Sequence, residues 1–398
     1  MQSVDAAGLG IGDDYPPRIM GVLNVSQESP YEPSVFDDPG AAAMYVDKEL
    51  IDEGADIVDV GLESANKRYE VLSAEEELDR LDTAVETIES TSGDAVFSIE
   101  TRYHEVAEEA LSRGFDMVND ICGFADPEMP RVCREYDVAV CKMASPPDLE
   151  RPGAIEDVDD IYEALSRNGL TEKTIVDPAF GGWSEAKTLA DDRETFYRLR
   201  EFRALDRPIL VSINRKNFLR SIAGRETEKA LPVSLAATSM AVERGAHVIR
   251  THDVAETRDA ALVGATFTRE RFRAADGAQV GVEELDVTNS DEASRHIDAA
   301  SRTATGVDDT GGVVHHPEAE QGVGRWYRLA GVPAGERDRA RALAADSSVV
   351  VAGSDDTLVL GGSVHALREM AGNLGDAPSI QVALQHALDA REELDARE

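Results

Sequence analysis

The chain has 398 residues, of which 78 are acidic and 40 basic, for a formal net charge of −38. Spread along the whole length, that acidity argues against nucleic acid and anionic membrane as partners, since both require basic surface. Hydrophobic residues make up 42% of the chain in regularly spaced runs, which excludes disorder and suffices for a sizeable core and two domains.

Residues 1–17 read as an N-terminal tail, and "MQSVDAAGLGIGDDYPP" lacks the basic start and apolar centre of a signal peptide. Eight short apolar, β-branched runs follow. They are "IMGVLNV" (19–25), "ADIVDVG" (55–61), "AVFSIET" (95–101), "DMVNDICG" (116–123), "VAVCKM" (138–143), "TIVDPA" (174–179), "PILVSIN" (208–214) and "HVIRTHD" (247–253). Near-continuous runs of this kind indicate strands buried on both faces, as in a parallel sheet.

Helical patterns separate them. "DPGAAAMYVDKELIDEGA" opens on Asp-Pro and stops at Gly54, and "SAEEELDRLDTAVETIES" carries Ser73 as N-cap with Glu76 at the capping-box position. "HEVAEEALSRG", "DPEMPRVCREY", "IEDVDDIYEALSRNG", "TFYRLREFRAL", "LPVSLAATSMAVERGA" and "AETRDAALVGA" fill the later connections. Eight βα units over roughly 250 residues predict an α/β fold, a (β/α)₈ TIM barrel spanning residues 18–268. A doubly wound sheet is the alternative, but no Gly-x-Gly-x-x-Gly turn follows the first strand. Residues 269–398 alternate strand-like and helix-like patterns, with a "GSDD" hairpin turn, and predict a smaller α+β C-terminal domain. It reads as an oligomerisation or regulatory module. Its adjacent His315 and His316 lack the convergent partners that a metal site needs.

Polar residues gather at the strand ends: Asn24, Glu63-Ser64, Glu100-Thr101, Asn119-Asp120, Asp177, Asn214-Arg215-Lys216 and Arg250-Thr251-His252-Asp253. Singly, each is an ordinary loop or helix cap. Together they occupy seven of eight strand ends, which in a barrel share one face, the face where barrel enzymes keep their active sites. Lys216, Arg215, Arg250 and His252 point to an anionic ligand. Glu100, Asn119, Asp120 and Asp177 suit a ring that presents paired N–H groups. A nitrogen heterocycle carrying a polyphosphate ester satisfies both sets, with Mg²⁺ as the expected cofactor.

These residues carry a resemblance to dihydropteroate synthase, running from about Arg18 to Val263. "IMGVLNVS", "GADIVDVGLES", "SIETRYHEVAEEALSRGFDMVNDICGFADPEM", "IVDPAFG", "NRKNFL" and "GAHVIRTHDVAET" stand in that family's motif order. The resemblance implies that pterin diphosphate and p-aminobenzoate, or a related arylamine, are joined with release of pyrophosphate in folate biosynthesis. It also implies that Glu100 (where the family has Asp), Asn119, Asp177 and Lys216 hold the pterin. Asn24, Arg250 and His252 would hold pyrophosphate and Mg²⁺, Asn24 as the metal ligand. Catalysis would fall to Lys216, Arg250 and His252.

Two loops depart from the family. Ser26-Gln27-Glu28 replaces the usual Thr-Pro-Asp, and Ser64-Ala65-Asn66 replaces Ser-Thr-Arg. Ser26, Ser64, Asn66, Lys67, Arg68 and Arg215 are the candidates for the pyrophosphate and arylamine side. Lys67 and Arg68 are either shifted cations or solvated surface charges. Trp183 is either a stacking platform or a core residue. A pterin-binding methyltransferase barrel would share the fold without needing the "NRK" and "RTHD" anion grip. An inactive pterin-binding paralogue is argued only by the two loops.

Cys122, Cys133 and Cys141 are odd in number and lack metal-ligand spacing, so buried thiols in a reducing compartment are expected. No run approaches the roughly 18 apolar residues of a membrane span. The chain reads as a cytoplasmic protein, a homodimer, from a halophile, because dispersed acidity is tolerated where salt screens its self-repulsion. Far-UV circular dichroism should therefore show a folded chain in about 3 M KCl and a loss of signal on dialysis to about 0.1 M. A spectrum unchanged by dialysis would overturn the halophilic reading.

Overall fold

Strands that are apolar on both sides must be covered on both sides, and a barrel wrapped in helices does this. The structure, a computed structural model, describes residues 1–25, 34–63, 71–181, 186–269, 273–274, 282–301, 318–353 and 357–395. Two compact units divide it, Met1–Glu270 and Arg271–Glu398.

In the first unit two short strands, β1 (Val4–Ala6) and β2 (Leu9–Ile11), pair antiparallel. Eight parallel strands follow: β3 (Arg18–Asn24), β4 (Ile57–Gly61), β5 (Val96–Thr101), β6 (Met117–Asp120), β7 (Ala139–Met143), β8 (Thr174–Asp177), β9 (Ile209–Val211) and β10 (Ala246–Thr251). They pair in chain order, and β10 returns to β3 with Arg250 opposite Met20, closing the barrel. The open-sheet alternative is thereby excluded.

Helices α1 (Pro39–Tyr45), α2 (Ala74–Ser90), α3 (His104–Ser112), α4 (Met129–Glu135), α5 (Val158–Ser166), α6 (Leu189–Tyr197), α7 (Asn217–Ala223), α8 (Leu231–Glu243) and α9 (Val254–Phe267) fill the connections. The Ser73–Glu76 capping box opens α2 as expected. Helix α6 starts earlier than its apolar pattern, because Thr188 and Asp191 form a second capping box, and residues Leu199–Leu205 tighten into a 3₁₀ helix.

The segment expected to be a tail is part of the barrel. Val4, Ala6 and Ile11 of the hairpin pack into the lowest inward layer, with Met20, Ile57, Val96, Met117, Ala139, Cys141, Ile175, Leu210 and Val248. Gly-rich spacing hid three apolar residues that together plug the barrel floor. Just beyond, the Asp13 carboxylate accepts from Arg203 Nη2 at 2.9 Å and from His247 Nε2 at 3.1 Å. His247 Nδ1 accepts from Ile209 N at 3.0 Å, which leaves Nε2 as the nitrogen that donates to Asp13. All three cysteines are buried and free.

The second unit is α+β. Strands β11 (Arg273–Ala274) and β12 (Val282–Glu283) pair antiparallel, and β13 (Gly324–Ala330), β14 (Val350–Ala352) and β15 (Thr357–Ser363) form an antiparallel sheet in the order β13-β15-β14. Helices α10 (Ser290–Ser301), α11 (Ala319–Gly322), α12 (Ala334–Ala344), α13 (Val364–Asn373) and α14 (Pro378–Asp395) complete it. Leu358 and Leu360 of β15 pack with Leu367, Met370, Ile380 and Leu384. The "GSDD" turn and His315-His316 fall mostly or wholly outside the described residues.

Asp13 and Arg203 are 7% and 5% exposed. Removing one partner of a buried pair strands the other charge, so Asp13→Ala should cost about 3 kcal/mol in denaturant unfolding at fixed high salt. A loss under about 0.5 kcal/mol would mean that the hairpin does not depend on this contact.

Candidate active site

Period-two alternation decides what enters the barrel. Two residues on from the apolar floor stand Val22, Asp59, Ser98, Asn119, Asp177 and Arg250. Two further on stand Asn24, Gly61, Glu100 and His252. Parallel register then aligns Asn24, Gly61, Glu100 and Asn119 across four neighbouring strands.

At the centre lies an ion triad. Asp59 is fully buried, and its Oδ2 accepts from Arg250 Nε at 2.7 Å and from Asn119 Nδ2 at 3.0 Å. Arg250 Nη2 donates to Glu100 Oε2 at 2.6 Å. Burial pushes the Glu100 carboxyl up to about 7 against the pull of Arg250. Burial works against the Arg250 charge too, but Glu100 and Asp59 more than offset it and hold the guanidinium charged. Asp59 Oδ1 and the register-paired Ser98 Oγ are buried with no hydrogen-bond partner among the described residues. Sequence reading missed Asp59 because it sits inside the apolar run "IVDVG". The signal was a carboxylate on the inward parity of a buried strand.

Across the barrel, Asp177 Oδ1 accepts from Ala179 N at 2.8 Å, and burial raises its carboxyl to about 6. Lys216 is held down to about 8 by burial and by Arg250, with Asp177 opposing. Its stem runs past Gly181, where φ is +109° and an added Cβ would fall 2.9 Å from Lys216 Cδ and Nζ. A side chain there would block the ammonium. Lys187, also missed, donates to Ala179 O at 2.6 Å, and Asp192 accepts from Gly181 N at 3.1 Å. The pair pins the turn that carries Asp177 and Gly181.

Asn24 Nδ2 donates to Ser34 Oγ at 2.9 Å, which turns the amide oxygen toward Gly61 and Glu100. His252 is held far down, to about 3, by burial and by Arg250, and is a neutral imidazole.

Two expectations are corrected. The Arg215 guanidinium does not lie open to an anion: it binds Asp253 through two bonds of 2.8 Å and also donates to Thr227 O at 2.9 Å. Asp253 also accepts from Asn214 Nδ2, so the three residues brace the β9 and β10 ends. Asp120 falls on the outward parity of β6, and its two oxygens accept from Cys122 N and Phe124 N within its own turn. Ser26, Ser64, Asn66, Lys67, Arg68 and Trp183 lie outside the described residues.

Inward acids and amides on β4 to β8 and cations after β9 and on β10 meet at the open end, the end at which barrel enzymes keep their active sites. The chain belongs to the pterin binding enzyme family, whose profile residues 20–252 match. Dihydropteroate synthases are among its relatives. It is 33% identical over 250 residues to that of Clostridium beijerinckii, aligning 61% of this chain with 91% of the other. Identity is 34% over 268 residues to a probable bifunctional folylpolyglutamate synthase/dihydropteroate synthase of Haloferax volcanii, covering 63% of this chain and 31% of that longer protein. The solved dihydropteroate synthase of Coxiella burnetii, in complex with pteroic acid, superposes with a TM-score of 0.56 at 29% identity, covering 67% of this chain and 98% of that one.

Proposed function

We propose that the chain is a transferase of dihydropteroate synthase type, joining dihydropterin diphosphate to p-aminobenzoate or a related arylamine with release of pyrophosphate, in folate biosynthesis. The observation that carries this reading is the inward ring of Glu100, Asn119, Asp177 and Lys216 around the Arg250–Asp59 pair. Asp177 and Glu100 accept from the ring N–H groups, Asn119 fits its amide to the ring edge, and Lys216 donates to a ring oxygen. Arg250, with neutral His252 beside it, faces the phosphate side.

In the reaction the bond from the pterin methylene carbon to the diphosphate oxygen breaks, and its electron pair leaves with pyrophosphate. The arylamine nitrogen bonds to that carbon and gives up a proton. This chain's part is to stabilise the charge that develops on the leaving group and to align the amine behind the carbon. The amide oxygen of half-buried Asn24, with its N–H₂ committed to Ser34, fits Mg²⁺, a hard cation that takes few protein oxygens beside phosphates. When bound, the ion neutralises phosphate charge. Arg215 serves by holding Asp253 rather than by gripping the anion.

Exposed Met240, Leu262, Val263 and Phe267 on α8 and α9 support a homodimer through that face. The charge of −38 supports the cytoplasm of a halophile.

In multimolar KCl with Mg²⁺, dihydropterin diphosphate and p-aminobenzoate, pyrophosphate release is expected, and Lys216→Ala should abolish pterin binding. No release by the wild-type chain would sink this reading, and tight pterin binding without turnover would favour an inactive paralogue. Ring N–H donors need ionised carboxylates, and these are lost as pH falls through about 7 for Glu100 and about 6 for Asp177. The phosphate-free dihydropterin alcohol should therefore bind at least roughly tenfold more weakly at about pH 5.5 than at about pH 7.5. A flat calorimetric profile over that range would exclude these two acids as the ring's partners.

A further inference from the structure

The strand-borne ring is fixed by the barrel, but the barrel floor is closed by the hairpin. A second substrate can reach the pterin only through the open end, where the walls are the loops after the strands. On the β4 to β7 side those loops converge on one side chain. Arg102, in the loop after β5, is 1% exposed. Its Nη2 donates to Glu63 Oε2 at 2.5 Å, and its Nη1 donates to Leu149 O at 2.6 Å. Glu63 lies in the loop after β4 and Leu149 in the loop after β7.

Glu63 is itself shared. Its Oε1 accepts from Leu72 N at 3.0 Å, and Leu72 O accepts from Tyr103 Oη at 2.6 Å. The guanidinium fork thus ties the two described ends of the β4 loop, through one carboxylate, to the β5 and β7 loops. A planar fork makes two such bonds at a fixed angle, which a lysine ammonium does not reproduce. Arg102 makes no hydrogen bond to Asp59, Glu100, Asn119, Asp177 or Arg250 among the described contacts; with Glu63 it reaches the ring only through its charge, which acts on Glu100.

We propose that Arg102 is a positioning residue for the second substrate: by joining Glu63 to the Leu149 carbonyl it fixes the wall on the β4 to β7 side and so sets the affinity for the arylamine, while the strand-borne residues set that for the pterin. This rests on the functional reading above.

Steady-state kinetics and calorimetry in high KCl test it. For Arg102→Met the KM for p-aminobenzoate should rise about tenfold, with kcat and the Kd for dihydropterin diphosphate each changed several-fold less than that KM. Arg102→Lys should raise the amine KM by a smaller factor, and it keeps the test available if the methionine variant does not fold. The double variant Glu63→Gln/Arg102→Met, which removes the stranded carboxylate, should recover Tm but not the amine KM.

Recovery of both, or equal losses for the two substrates, would reduce Arg102 to a neutraliser of Glu63 and overturn the proposal. An active wild-type chain whose variants keep the amine KM sinks this inference alone. A wild-type chain that releases no pyrophosphate sinks the functional reading and this inference together.

Discussion

The bond between Asp59 and Arg250 is the constraint around which the barrel interior is organised. A carboxylate with no solvent contact is tolerated only when a partner charge and hydrogen bonds meet it. Arg250 supplies the charge from β10, two strands away through β3, and Asn119 supplies a further bond from β6. The same guanidinium reaches Glu100 on β5, so one cation couples three strands, and Asn119 extends the network through Asp59 to a fourth. The extra methylene of Glu100 over an aspartate lengthens the arm on which that acid meets the arginine.

The remaining site follows from where each residue falls relative to this pair. Asp177 and Lys216 stand across the barrel, each shifted toward neutrality by burial. Gly181 is required because the lysine stem occupies the space a side chain would take. Outside the barrel, Lys142 shows the opposite use of a buried lysine. It points outward from β7 and donates to Leu165 O and Gly169 O, capping the end of α5, and takes no part in the site.

Much of this was legible in the order of the residues. Eight apolar runs with helical spacers define the barrel, and strand-end parity places Asn24, Glu100, Asn119, Asp177 and Arg250 inside it. Three features were hidden, two because they depend on partners far along the chain and one because its own turn takes it out of the site. Arg215 looks like an open cation until Asp253, 38 residues on, is found to hold it. Asp120 looks like a ligand acid until its own turn consumes both oxygens. The N-terminal hairpin spaces its apolar residues too sparsely to read as strands, and its packing partners lie on eight other segments.

The burial of the Asp59–Arg250 pair separates two electrostatic regimes within one molecule. Exposed carboxylates sit in solution, where dissolved ions crowd between them and weaken every interaction beyond a Debye length of about 3 Å at 1 M salt. Inside the barrel Asp59 has no solvent contact and Arg250 is 18% exposed, so their interaction is screened far less than that of the surface charges. A change in ionic strength therefore acts more strongly on the surface charges than on the charge balance that greets a ligand.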